Sequence, residues 1–268
     1  MCPRSFLFRS LPLIFALFSS IELPAAEAPP DISAPPLYCP VKKEAAARAF
    51  RHGNELYQKK KMKEALEEYL KALDQEPQFC DALERIGTIY QKAGKTDEAI
   101  IWHQKAIEAN MRDTPAHVQL GADFNLEERN REAAAEYQMA IDLEPENPEG
   151  YYGLGSVYLT IGKYRESIPP FSRAEKIYRE TKSPYLHQTR FSIGLAYFFT
   201  NDCPTALSFL EPVYPEFQND KNMNYALGLC YVRAKQIDKG KPYLEKASSY
   251  GLEPADQVLD MIENGEIK

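Results

Sequence analysis

Gly53, Gly87, Gly121 and Gly155 stand 34 residues apart; Gly194 follows after 39, and Gly228 after 34 again. A fixed period of this size marks one supersecondary unit copied along the chain, each copy burying its apolar face against the next. Other columns travel with the glycine. Three residues after it stand Leu56, Tyr90, Phe124, Tyr158, Tyr197 and Tyr231. One before it stand His52, Ile86, Leu120, Leu154, Ile193 and Leu227. Twelve and nineteen after it the residues are mostly alanine, as at Ala65, Ala99, Ala133 and Ala72, Ala106, Ala140. Two antiparallel helices approach closely only where side chains are small, and large residues fill the seams around that gap.

At these columns the chain resembles the tetratricopeptide repeat family over roughly residues 46–250, and stretches such as LERIGTIYQKAGKTDEAI read almost as the family consensus. The resemblance implies an all-α fold, a right-handed superhelical solenoid of about six helix–turn–helix repeats with a C-terminal capping helix. The array is expected over 44–268, with repeats near 46–79, 80–113, 114–147, 148–181, 187–218 and 221–251 and the cap at 254–264. Pro169 and Pro170 fall inside the second helix of the fourth repeat, which predicts a late start, a kink or a widened turn there. The five extra residues before Gly194 are expected within Arg179–Gln188, as a longer helix or a loop.

Ahead of the array, residues 1–26 read as a secretory signal: Arg4 and Arg9, a short apolar core from Leu11 to Phe18, then Ala25 and Ala26. Residues 27–43 carry five prolines and read as an extended linker. The expectation is a periplasmic or secreted protein with no membrane insertion once the signal is cleaved. A formal net charge of -7 argues against a nucleic-acid scaffold, which needs a basic face. Lys59, Lys60, Lys61 and Lys63 read as a solvated turn.

No metal-ligand spacing and no nucleophile–base or phosphate-loop motif occurs in the sequence, so no enzyme and no cofactor are expected. The four histidines, His52, His103, His117 and His187, read as packing residues. Four cysteines follow the signal, and an oxidising compartment invites disulfides. Stacking of neighbouring repeats favours Cys39–Cys80 and Cys203–Cys230 among the three pairings, with buried free thiols as the other reading.

What remains is recognition. The resemblance implies that the first helices line a concave groove and that three columns face it. These are Phe50, Glu84, Val118, Tyr152, Phe191 and Tyr225; Asn54, Thr88, Ala122, Ser156, Leu195 and Leu229; and Tyr57, Gln91, Asn125, Leu159, Phe198 and Val232. They run from polar to apolar along the chain. Tyr152, Phe191, Leu195, Phe198, Tyr225 and Leu229 are therefore the expected protein-binding residues, since a solvated apolar face suggests a partner. Tight superhelical curvature or the cap could bury them instead. The carboxylate clamp of chaperone-binding relatives is incomplete: Asn54 matches it, but Phe50, Pro115 and Gln119 replace its cations. The expected role is a non-catalytic scaffold or adaptor binding an apolar or aromatic protein segment, with homodimerisation through the same face as the alternative.

Overall fold

The computed structural model describes residues 39 and 41–267. The expected signal and most of the linker lie outside the described residues. Six helix pairs follow one another: α1 (Glu44–Gln58) with α2 (Met62–Gln75), α3 (Cys80–Lys92) with α4 (Thr96–Ala109), α5 (Thr114–Leu126) with α6 (Asn130–Leu143), α7 (Pro148–Thr160) with α8 (Tyr164–Glu180), α9 (Leu186–Phe199) with α10 (Cys203–Leu210), and α12 (Lys221–Arg233) with α13 (Ile237–Ser249). A short turn of 3-10 helix (Glu211–Val213) and the four-residue α11 (Tyr214–Phe217) separate the last two pairs, and α14 (Glu253–Glu263) packs on α13. No helix among the described residues is long and apolar enough to cross a membrane.

The glycine column works through one partner column that the sequence reading did not single out. Sixteen residues after each repeat glycine, on the second helix, stand Tyr69, His103, Tyr137, Phe171, Leu210 and Leu244, and each lies against the glycine of its own repeat. A Cβ on Gly155 would come within 2.7 Å of the Phe171 ring. Phe171 is fully buried, and burial of such a side chain contributes about 1.5–3 kcal/mol. The turns share a second device. Seven residues after each glycine the backbone turns left-handed, at Lys60, Gly94, Glu128, Gly162, Asn201 and Lys235. Only two of the six are glycine, so four side chains hold a conformation that L-residues resist.

Helix starts are fixed locally. Asp113, Asn147, Asp202 and Asp220 cap α5, α7, α10 and α12, each side chain accepting from a backbone N–H in the first turn. The α8 helix begins at Tyr164, nine residues after its glycine, as α2, α4 and α6 do after theirs. The late start expected from Pro169 and Pro170 is therefore not found; both rings sit inside one uninterrupted 17-residue helix. That helix is three residues longer than α6, and this extension with the turn before α9 takes up the slip in period. The break occurs one repeat later, where Pro212 and Pro215 divide the second helix into α10, the 3-10 turn and α11.

First helices touch each other, α3 with α5, α5 with α7, α7 with α9 and α9 with α12, besides pairing with their own second helices. They make up the inner layer. The structure bonds Cys39 to Cys80, with Cα atoms 5.8 Å apart, and Cys203 to Cys230, with Cα atoms 5.1 Å apart.

Candidate protein-binding wall

The inner layer presents the three expected columns along α1, α3, α5, α7, α9 and α12. Its apolar half is closed more tightly than a solvated face. Phe191, Leu195, Phe198, Tyr225 and Leu229 are each 9% exposed or less, and only Tyr152 among the six expected contact residues is partly open. The premise that these side chains stand in water is not met for the five. The covering comes from adjacent elements. Phe217 of α11 stacks on Phe191, with ring centroids 4.7 Å apart. Tyr225 meets Phe198 edge to face at 5.9 Å, and the Arg233 guanidinium lies 5.8 Å from the Phe198 ring centre. Because α9 and α12 touch directly, their inward rings pack on each other before any partner arrives.

The polar half is built differently. Thr88 donates to Glu84 at 3.0 Å, and Arg85 stands 3.6 Å from the other Glu84 oxygen. Gln91 donates to Asp123 at 2.6 Å, and the second Asp123 oxygen meets His103 Nδ1 at 2.6 Å, with both side chains fully buried. His103 fills the column held by rings and leucines in other repeats, so its partner Asp123 is buried with it. The residues are twenty apart on different helices, and no short motif announces them. Asn54, the one residue matching the carboxylate clamp, accepts from the Tyr69 hydroxyl at 2.7 Å and so serves packing.

Three carboxylic acids along this half are held above their usual range. Burial, then the charges of Asp113 and Glu84, push Asp81 up to about 7. Burial, then Glu84, push Asp113 up to about 6 against the bond from the Ala116 N–H. Glu149, in the first turn of α7, is open to water but enclosed by surrounding protein; that enclosure, then Glu84 and Glu144, raise it. Sequence reading missed this cluster, since its members come from α3, the α5 cap and α7. The signal was present in one column, six residues before each glycine, which reads Asp81 and Glu149 in repeats two and four.

Two family models match the sequence. One, described as a TPR repeat, matches residues 53–94 and 123–176; the other, described as a tetratricopeptide repeat, matches 81–110 and 222–250. Together they span just over half of the chain. No curated protein matches the sequence significantly. Solved structures match in fold. PilF of Pseudomonas aeruginosa superposes with a TM-score of 0.70 at 16% identity, covering 81% of this chain and 97% of that one. A chain of the APC/C hetero-tetramer Cut9–Hcn1 gives a TM-score of 0.67 at 20% identity, covering 80% of this chain and 42% of that one. YrrB, described as a TPR protein with an unusual peptide-binding site, gives 0.56 at 20% identity, covering 67% of this chain and 90% of that one.

Proposed function

The chain belongs to the tetratricopeptide repeat family, and from that premise we propose that it is a non-catalytic scaffold that holds a segment of another protein along its inner wall. The observation that carries the reading is the partial exposure of Tyr152 on α7, its ring packed on Phe171 with centroids 5.5 Å apart, with the exposed Glu149 one turn before it. A wall whose rings are pre-packed loses little side-chain freedom when a partner docks, which favours binding. Phe191, Leu195, Phe198, Tyr225 and Leu229 then act as the floor, and Tyr152 as the apolar group within reach. The N-terminal sequence and the two disulfides support a periplasmic or secreted location, with cell-envelope assembly as the working context.

Tyr152→Ala tests this reading. It should weaken capture of the native partner without loss of helical circular dichroism, while Ile101→Ala, at a side chain 50% exposed on α4, should not. Equal capture by both variants would overturn the assignment. Homodimerisation through the same face is the second reading; a concentration-independent monomer by light scattering would exclude it.

A further inference from the structure

The two disulfides carry an inference that goes beyond the scaffold reading and does not depend on it. They are built alike in two respects. Each joins a sulfur at the protein's edge to one sealed inside: Cys39 is 7% exposed and Cys80 0%, Cys203 7% and Cys230 0%. Each also includes the first residue of a helix, Cys80 on α3 and Cys203 on α10. Burial therefore does not separate the two bonds, and a helix start is common to both.

Charge does separate them. Arg233, the last residue of α12, brings its Nη1 to 3.8 Å from the Cys203 sulfur. Its guanidinium is cationic at any working pH, and it is held over the Phe198 ring at 5.8 Å. Asp202, the acidic residue next to Cys203, is turned onto its own helix, where it accepts from the Thr205 N–H at 3.2 Å. At the other bond the close neighbour is an anion. An Asp81 oxygen lies 3.5 Å from the Cys80 sulfur, and the two sulfurs and a carboxylate oxygen all lie within 4.8 Å of one another. A disulfide opens by releasing thiolates, which a nearby cation stabilises and a nearby carboxylate opposes.

We propose that Cys203–Cys230 is a thiol–disulfide exchange site, with Cys203 as the reacting sulfur and Arg233 as the cation that holds its thiolate, while Cys39–Cys80 is a lasting staple. The co-reactant is a dithiol. One of its thiolates attacks the Cys203 sulfur at the edge; that bond forms, the bond to Cys230 breaks, and Cys230 leaves with the electron pair and takes up a proton. The second thiolate of the reductant then closes the reductant's own disulfide and expels Cys203 as a thiolate beside Arg233. Protein disulfide and dithiol become protein dithiol and reductant disulfide, a two-electron exchange. The bond concerned ties α10 of repeat five to α12 of repeat six, so exchange acts on the join between the last two repeats and leaves repeats one and two stapled.

The test titrates the purified, oxidised chain with dithiothreitol buffers at pH 8, where Asp81, which titrates at about 7, is ionised. Acid quenching, alkylation and peptide mass spectrometry read each bond separately. The exchange constant of Cys203–Cys230 should exceed that of Cys39–Cys80 by about tenfold, a gap of about 30 mV for a two-electron couple. Arg233→Gln should lower the Cys203–Cys230 constant by about tenfold and close the gap, whereas Arg233→Lys keeps the charge and should stay within about threefold of the parent. The direction distinguishes charge from packing, because a residue that only packed would, when lost, loosen the bond and make it easier to reduce. In the reduced chain, iodoacetamide should alkylate Cys203 ahead of Cys39, the other edge thiol. Equal constants for the two bonds, prior opening of Cys39–Cys80, or easier reduction in Arg233→Gln would overturn the proposal.

Discussion

Gly153→Ala should be among the most damaging single-methyl changes in the array. Gly153 lies on α7, two residues before the repeat glycine, where other copies carry Arg51, Arg85, Gln119, Ser192 and Ala226. Here the Tyr137 ring from the preceding repeat occupies the space, and an added Cβ would fall inside it. The ring cannot retreat freely, because Gly121 of its own repeat lies on it so closely that a Cβ there would sit 3.1 Å away. Overpacking costs about 1–3 kcal/mol, and a ring pinned from two sides belongs at the upper end. Exchange of glycine for alanine inside a helix returns about 1 kcal/mol. The net loss is about 2 kcal/mol, a fall in Tm of roughly 4–8 °C for an array of this size. Thermal melts followed by circular dichroism measure it. Tyr137→Leu should rescue Gly153→Ala, because Leu210 and Leu244 fill the same column in later repeats. The coupling in that double-mutant cycle should exceed about 1 kcal/mol. A Gly153→Ala protein as stable as the parent, or additive effects in the cycle, would refute the account of how repeats three and four interlock.

Lys60→Gly and Glu128→Gly should each stabilise the array by about 0.5–1 kcal/mol in denaturant titrations, since both residues hold positive φ at turns where other repeats have Gly94 and Gly162. Asp81→Asn should change the pH dependence of stability with a definite sign. The folded carboxyl titrates at about 7, above the unfolded value of about 4, so the native state holds the proton more tightly and stability from this group falls as pH rises between those values. The variant should therefore be more stable than the parent above pH 7 and gain nothing below about pH 4, as read from chemical melts across that range. Selective loss of the Cys203–Cys230 bond, by the paired Ser substitutions, should cost about 3.5 kcal/mol on loop-entropy grounds for its separation of 27 residues.

The sequence carried the fold through features that repeat. Each glycine needs one small position opposite a large one, and that requirement writes itself into every copy. Features made once, or made between copies, were harder to see. The left-handed turn column is marked by glycine only at Gly94 and Gly162, so Lys60, Glu128, Asn201 and Lys235 conceal it. Burial of Phe191 depends on Phe217, which α11 brings over it after Pro212 and Pro215 break the helix; no periodic pattern encodes that contact. Pro169 and Pro170 looked like the stronger disruption, yet the helix runs through them. The His103–Asp123 pair and the acidic cluster join residues from different helices, and single-helix patterns are blind to both.

Site-specific photo-cross-linking in the native compartment tests the central claim most directly. A photoreactive residue at position 152, on the first helix of the fourth repeat, should trap a protein segment that mass spectrometry can identify. The same residue at position 176, on the exposed side of α8, should trap nothing comparable. Equal trapping from both positions, or trapping from position 176 alone, would contradict the inner wall as the working surface of this protein.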